Sequence, residues 1–231
     1  MGDLKPNRLL VILAHPDDES FAVGGTLAKY ARLGIQTILL CATRGEAGIP
    51  GQNPEAAGAI REQELLSAAK QLGIEVHFLG YQDGTLSSED PVRLLEHIAC
   101  WIDTVQPQAI LTFGPDGVSG HPDHVTVSNI VTQAVEKYFP NICLLYIAPS
   151  EATVLGCGVG SSPVKSDQQL ISVDISDFKI EKIRAIQSHA SQQPPLTGTP
   201  EEEVENIPCH EYFTVAQTVK HGRDLMDCFN S

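Results

Sequence analysis

The chain has few basic residues and no long apolar run. Its 231 residues include 15 Lys and Arg against 29 Asp and Glu, a formal net charge of −14. Nucleic-acid or anionic-membrane partners require clustered cations, so neither is expected. A membrane-spanning helix needs roughly 18 consecutive apolar residues, and no segment approaches that length. Met1 to Arg8 makes a poor signal peptide because Asp3 and two helix breakers precede only a short apolar stretch.

None of the six cysteines is arranged in a Cys-x-x-Cys pair. The positions are widely scattered: Cys41, Cys100, Cys143, Cys157, Cys209 and Cys228. This spacing is typical of reduced thiols in a protein that needs no disulfide framework. We therefore expect a cytoplasmic protein with free cysteines.

Several common catalytic signatures are also absent. No Gly-x-Gly-x-x-Gly follows the first apolar run, and no loop ends in Gly-Lys-Ser/Thr. Neither a Gly-x-Ser-x-Gly elbow nor a His-Glu-x-x-His helix occurs. Dinucleotide binding, nucleotide hydrolysis and serine-nucleophile hydrolysis thus each lose their main sequence support.

Short apolar runs alternate with longer amphipathic ones over the first 150 residues. This alternation predicts an α/β, Rossmann-like fold: a mostly parallel sheet with core order 3-2-1-4-5 and helices on both faces. The predicted strands are Leu9–Ala14, Thr37–Ala42, Val76–Leu79, Ala109–Phe113 and Ile142–Ile147. The predicted helices are Phe21–Leu33, Gly58–Leu72, Pro91–Val105 and Pro122–Tyr138.

The pattern weakens beyond about residue 150. Ile171–Val173 is a candidate strand and Asp177–His189 a candidate helix, whereas the proline-rich Ser191–Pro208 is typical of a loop or lid. We expect one domain over residues 1–231, with a loop-rich C-terminal part.

Two polar segments follow predicted strands one and four. His15-Pro16-Asp17-Asp18-Glu19 comes after the first, and His121-Pro122-Asp123-His124 comes after the fourth. In a doubly wound sheet, ligands bind outside the carboxyl ends of the strands where the strand order reverses. Order 3-2-1-4-5 makes these strands neighbours, so both segments should meet in one crevice.

Imidazole and carboxylate groups are ligands of a catalytic divalent metal, and three protein ligands leave one position open. His15, Asp18 and His124 can supply such a set. Asp17 then stands beside the metal as a candidate general base. His121 is a candidate for stabilising an oxyanion or protonating a leaving group.

Other polar residues follow the same ends of the predicted strands. Glu46 and Asp83 come after strands two and three, and Arg61 lies near the start of helix two. We expect them to bind a sugar-like substrate, with Arg61 contacting a carbonyl or phosphate oxygen. The remaining histidines, His77, His97, His210 and His221, are expected to be structural or on the surface.

These residues resemble a known family. Ala14-His15-Pro16-Asp17-Asp18-Glu19 and Gly120-His121-Pro122-Asp123-His124 are similar to the two motifs of the PIG-L/LmbE-like zinc-dependent N-deacetylases. Thr43 to Glu46, Arg61 to Glu64, Asp83 and His189 to Gln192 are also similar to family segments. The likeness spans roughly residues 8 to 193.

The resemblance implies a role for each matching residue. His15, Asp18 and His124 would bind zinc, with Fe²⁺ or Co²⁺ as substitutes, and Asp17 would act as general base toward zinc-bound water. His121 would stabilise the oxyanion, oriented by Asp123. His189 would join Glu46, Arg61 and Asp83 in binding substrate.

The implied reaction removes an acetyl group from an N-acetylglucosaminyl or similar N-acyl amino-sugar small molecule. A homo-oligomer, trimer or hexamer, would be in keeping with the family. One departure is Ser119, where some members carry a tyrosine before the Gly-His of the second motif. A tyrosine-assisted oxyanion hole is therefore not expected at that position.

Two other classes can use a similar ligand set. A non-haem Fe(II) oxygenase also combines two His with one carboxylate, but its usual form is His-x-Asp on an all-β jelly roll. A non-catalytic metal-binding module would normally close its site with four ligands, often Cys, and no cysteine lies near either motif.

Overall fold

The apolar runs form the middle of a seven-stranded sheet. The computed structural model describes residues 7–148, 169–192 and 199–217. The strand order is β3-β2-β1-β4-β5-β7-β6. The strands are β1 Arg8–Leu13, β2 Gln36–Thr43, β3 Glu75–Tyr81, β4 Ala109–Phe113, β5 Cys143–Ala148, β6 Leu170–Asp174 and β7 His210–Gln217.

The described residues contain six helices, and four of them start with a proline that follows a capping residue. They are α1 Asp18–Arg32, α2 Pro54–Leu72, α3 Pro91–Val105, α4 Pro122–Tyr138, α5 Lys179–Ser188 and the short α6 Pro200–Glu203. Asn53, Asp90 and His121 accept backbone N–H groups at the starts of α2, α3 and α4. Helices α1, α2 and α5 pack together, as do α3 and α4.

The predicted core order 3-2-1-4-5 is confirmed. Strand β1 is parallel to both β2 and β4, with Leu9 opposite Thr37 on one side and Ala109 on the other. All residues of β4 are buried, as are Leu9 to Leu13 of β1. The carboxyl ends of these two central strands therefore lie side by side, and both His-Pro-Asp segments start at this edge.

The described residues beyond 150 contain more strand and helix than the predicted loop-rich region would. Strand β7 was not predicted; it pairs antiparallel with both β5 and β6. The predicted strand at 171–173 and helix at 177–189 correspond to β6 and α5, and part of the predicted lid forms α6. Residues 149–168 and 193–198 lie outside the described residues.

Helix α1 packs closely against the segment after β6 because Gly25, in the middle of the helix, has no side chain. A Cβ added to Gly25 would lie 2.5 Å from Cδ1 of Ile175, which is fully buried. The glycine pair after the first motif therefore permits close packing against this segment, as its place in the helix suggested.

The cysteine prediction is wrong at one position. Cys143, the first residue of β5, is disulfide-bonded, whereas Cys41, Cys100 and Cys209 are free. Cys157 and Cys228 lie outside the described residues. Within the described ranges, no helix combines the length and apolar character needed to cross a membrane.

Candidate active site

The three predicted metal ligands converge at the carboxyl ends of β1 and β4. His15 follows β1, Asp18 starts α1, and His124 lies in the first turn of α4. Nδ1 of His15 lies 3.1 Å from Nε2 of His124 and 3.7 Å from Oδ2 of Asp18. Oδ1 of Asp18 lies 3.3 Å from Nε2 of His124. Residues 109 positions apart in sequence thus lie together, with one Asp18 oxygen near each imidazole nitrogen.

These spacings fit a tetrahedral zinc ion. Zinc bonds to nitrogen and oxygen at about 2.0–2.2 Å, which puts neighbouring ligand atoms roughly 3.3–3.5 Å apart. The observed separations of 3.1, 3.3 and 3.7 Å bracket that value. The 3.3 and 3.7 Å separations are to different oxygens of Asp18, so the three residues can hold such an ion once the Asp18 carboxylate turns one oxygen toward both imidazoles.

His124 is oriented by its far ring nitrogen. Nδ1 lies 3.1 Å from both the Gly117 carbonyl oxygen and Oγ of Ser119. A proton on Nδ1, donated to the carbonyl, leaves Nε2 free to bind a metal. The Phe113 ring stacks on the imidazole with centroids 4.1 Å apart and fixes its plane.

Two further groupings around His15 could hold a metal ion. One joins His15 and His124 with His121, and the other joins His15 with Asp83 and Asp123. The predicted set with Asp18 gives the short separations already described. His121 is therefore an alternative to Asp18 as the third metal ligand, and a measurement must distinguish the two.

The far nitrogen of His15 faces two carboxylates. Nε2 lies 3.0 Å from Oδ1 of Asp83 and 3.2 Å from Oδ2 of Asp123. Burial lowers the pKa of His15, but hydrogen bonds to Asp123 and Asp83 outweigh it and raise this pKa to about 10. Carboxylates at this position orient a metal-binding imidazole and increase its basicity.

Asp123 was expected to orient His121, and its carboxylate instead lies against His15. Its oxygens also accept the backbone N–H groups of Gly84 and Leu86. Only the backbone N–H of Asp123 reaches His121, donating to Nδ1 over 3.2 Å. The carboxylate is fully buried, which removes it from direct contact with a substrate.

His121 lies at the open side of the cluster. It is exposed, and its ring meets that of His15 edge-on with centroids 4.8 Å apart. Burial, together with the charges of His15 and His124, lowers the pKa of His121. Because Nδ1 accepts a backbone N–H, the neutral ring carries its proton on Nε2. His121 therefore has an N–H to donate.

Asp17 stands between Asp18, a predicted metal ligand, and the guanidinium of Arg61. Its backbone has φ 114° and ψ −30°, which is rare for a residue with a side chain. Oδ2 of Asp17 lies 3.1 Å from Nη2 of Arg61. Burial and the charge of Asp18 raise the pKa of Asp17 to about 7, against the opposing effect of Arg61.

Arg61 was predicted to bind substrate, but it is buried beneath the site. It is 3% exposed and donates to the carbonyl oxygens of Pro16 and Gly45. A Cβ added to Gly45 or Gly48 would lie 2.3 or 2.2 Å from its Nη1 atom. The loop after β2 thus closes over the guanidinium, whose Nη2 contacts Asp17.

Asp83 and Glu46 were also predicted to bind substrate, and they contact each other. Oε2 of Glu46 accepts the backbone N–H of Asp83 over 3.2 Å. Asp83 is buried between His15 and Arg61, with Oδ2 3.7 Å from Nη1 of Arg61. Glu46 is half-buried, which leaves it the more accessible of the two.

His189 was expected in the crevice and lies in the core instead. It is fully buried, and Nε2 lies 2.7 Å from Oε1 of Glu19, which is also fully buried. Burial lowers the pKa of His189, but the hydrogen bond and charge of Glu19 outweigh this and raise it. Glu19 belongs to the first motif, but no role was predicted for it from the sequence. Its place among the buried positions of α1 was the only sequence feature that could have indicated one.

The comparisons with known proteins agree with this geometry. Residues 10–135, more than half of the chain, match the family model described as PIG-L, GlcNAc-PI de-N-acetylase. A Bacillus anthracis protein named as a probable N-acetyl-α-D-glucosaminyl L-malate deacetylase is 32% identical over 190 residues, covering 80% of each chain.

Two solved structures share the fold. The N,N'-diacetylchitobiose deacetylase of Pyrococcus horikoshii has a TM-score of 0.69 and 24% identity, covering 91% of this chain and 84% of its own. The 4-carboxy-2-hydroxymuconate hydratase GalB of Pseudomonas putida has a TM-score of 0.70 and 19% identity, covering 94% and 98%. The fold therefore carries more than one reaction. By its family match and the identity with the Bacillus protein, this chain belongs to the PIG-L family of de-N-acetylases.

Proposed function

We propose that the protein is a zinc-dependent N-deacetylase that hydrolyses the acetyl amide of an N-acetylglucosaminyl small molecule. The observation that carries the proposal is the convergence of His15, Asp18 and His124 at spacings suited to tetrahedral zinc. Similarity over most of the chain to a protein named as a deacetylase supports the reaction class.

A zinc ion held by these three residues would lower the pKa of water and polarise the amide carbonyl. Asp17 has no metal to bind in this scheme, so its carboxylate can accept the proton of the attacking water. Its hydrogen bond to Arg61 holds Oδ2 and so restricts rotation of the carboxylate. The accepted proton is then available near the leaving amine.

His121 is proposed to stabilise the oxyanion. A neutral imidazole with its proton on Nε2 can donate to the negative oxygen that develops on the attacked carbonyl. His121 is exposed and its ring contacts that of His15 edge-on, so its solvent-facing side is open to a substrate bound beside the metal site. Protonation of the leaving amine can come from His121 or from Asp17.

The substrate proposal rests on the N-acetylglucosaminyl group in the name of the similar Bacillus anthracis protein. Glu46, half-buried at the carboxyl ends of the strands, is the group best placed to accept sugar hydroxyl hydrogen bonds. The buried Arg61, Asp83 and His189 are not assigned to substrate binding here.

The first test is acetate release from N-acetylglucosaminyl-malate, N,N'-diacetylchitobiose and free N-acetylglucosamine. Metal-stripped and zinc-restored protein would be compared, with His124→Gln as the site variant. His97→Gln is the matched control, since His97 contacts Tyr81 away from the cluster. We expect zinc-dependent release in the wild type and control and only background in the His124 variant.

Release of acetate also distinguishes deacetylation from the other reactions considered for this fold and metal site. A hydratase adds water to a carbon–carbon double bond and releases no acetate. An oxygenase would consume O₂, and a non-catalytic module would bind zinc without turnover. Bound zinc with no acetate from a wide panel of N-acetylated amino sugars would contradict the proposal.

A further inference from the structure

We infer that Glu19 and His189 are positioning residues that hold Asp17 in the orientation needed by a general base. The inference rests on the role proposed above for Asp17. Neither residue can touch a substrate, because both are fully buried. Their effect on the reaction would pass through the backbone of Asp17.

Asp17 is strained, and its own side chain does not relieve the strain. It occupies the N-cap position of α1 with φ 114°, where residues with a side chain are seldom found. A residue at this position usually caps the helix with its side chain, but Asp17 makes no such hydrogen bond. Its carboxylate is therefore free for chemistry, and other groups must hold the backbone.

Glu19 holds the backbone N–H of Asp17. Oε2 of Glu19 accepts that N–H over 3.0 Å. Its second oxygen, Oε1, accepts from the hydroxyl of Ser20 and from Nε2 of His189. Both oxygens of a fully buried carboxylate are thus occupied, so Glu19 cannot turn without losing a charge-assisted hydrogen bond.

His189 brings this support from the C-terminal part of the chain. It follows the last residue of α5, 170 positions after Glu19. A buried carboxylate is costly unless a cation or strong donors compensate it, and His189 provides that compensation. The general base in the first motif is therefore held in place by a helix that the motif does not contain.

A second buried pair, Lys182 of α5 and Glu211 of β7, also hydrogen-bonds to α1 and serves as an internal control. Lys182 of α5 contacts Glu211 and donates to the carbonyl oxygen of Phe21 in α1 over 2.8 Å. Both pairs are buried, and both tie α5 to α1. The contacts of Lys182 do not reach Asp17, so a purely structural contribution should be common to the two pairs.

The test compares His189→Gln with Lys182→Gln. Each change replaces a buried residue paired with a glutamate by a neutral amide that can still donate. We expect His189→Gln to lower kcat for acetate release roughly 10- to 100-fold, the range typical of small misplacements of reacting groups. KM and bound zinc should stay within twofold of the wild type. Lys182→Gln should keep the wild-type kcat even if its Tm falls as far as that of His189→Gln.

Ser20→Ala is a milder variant in case His189→Gln does not fold. It removes one donor to Glu19 and a single oxygen atom, and we expect a smaller loss of kcat at unchanged KM. In an Asp17→Asn background, His189→Gln should cause no further loss, because the base that it positions is already gone. Additive losses, or a wild-type kcat in both His189→Gln and Ser20→Ala, would overturn the inference.

The crystal structure of His189→Gln gives a readout that needs no substrate. We expect Asp17 to leave its positive φ or its carboxylate to turn away from Arg61. An unchanged Asp17 would refute the positioning role even if activity fell. If the wild type released no acetate, the proposed reaction would fail, while the conformation of Asp17 would still decide whether Glu19 and His189 hold it.

Discussion

Replacing Arg61 distinguishes two roles for this residue, substrate binding and support of Asp17, which predict opposite effects on KM and kcat. A substrate-binding arginine should be dispensable for folding, and its loss should raise KM. The buried Arg61 instead contacts Asp17, Asp83 and two backbone carbonyls, Pro16 and Gly45. We therefore expect Arg61→Met to lower stability and kcat together, with KM little changed.

The magnitude follows from the burial of the partners. Removing one member of a buried ion pair costs about 3–5 kcal/mol, because the other charge is left uncompensated. Asp83 is 7% exposed at its side chain, but Asp17 is 22% exposed and keeps some solvation. We expect about 2–4 kcal/mol for Arg61→Met, which corresponds to a fall in Tm of roughly 5–15 °C in a chain of this size.

Arg61→Lys should lie between the wild type and Arg61→Met. Lysine keeps the charge, but as a single ammonium it cannot reproduce a fork that reaches the two carbonyls and two carboxylates. Its kcat should fall while KM for the acetylated substrate stays within about twofold, the signature of lost transition-state stabilisation.

Thermal unfolding and steady-state acetate release would be measured on the same zinc-loaded samples. Arg44→Met is the matched control, since Arg44 follows β2 and pairs with Glu55 and Glu62 of α2, the helix that carries Arg61. It is partly exposed, so its loss should cost no more than about 1 kcal/mol. A stable Arg61→Met with raised KM and wild-type kcat would refute the buried role of Arg61.

Three further predictions follow from particular contacts. Gly25→Ala forces a methyl group to within 2.5 Å of Ile175, and we expect a loss of about 1–3 kcal/mol in urea unfolding. The pKa of His189 is raised in the folded state, so its stabilising effect is full below its unfolded pKa of about 6.5 and is lost as pH rises through the folded value. The difference in unfolding free energy between metal-free wild type and His189→Gln should therefore shrink as the pH rises above about 6.5. A difference that stays constant with pH would contradict this. Asp18→Asn should lose zinc in equilibrium dialysis, whereas His121→Gln should keep zinc and lose kcat; the reverse result would make His121 the third ligand.

Local signals were enough for several elements and for the ligand set. Helices α3 and α4 begin at the predicted residues because Asp90-Pro91 and His121-Pro122 are strong start signals. Helix α1 begins three residues earlier than predicted, at Asp18, because Asp17 enters it through a positive φ without capping it. Such a start leaves no pattern that a periodicity search can find.

Strand β7 was missed for a different reason. His210–Gln217 alternates only weakly, and its burial comes from β5 and β6, which lie on either side of it. Antiparallel pairing of that kind depends on contacts with distant segments, which no window of the sequence contains.

The sequence alone predicted the α/β class and, once the strand order 3-2-1-4-5 was assumed for such a sheet, the meeting of His15, Asp18 and His124. Each depends on short-range patterns plus the rule that parallel strands present their carboxyl ends at one edge. Only the tertiary structure decided which polar residues face the crevice and which support it from behind. Arg61, Asp123 and His189 share the residue types of a binding site, yet all three are buried. Burial is set by what packs over a side chain, and for His189 the decisive neighbour, Glu19, lies at the other end of the chain.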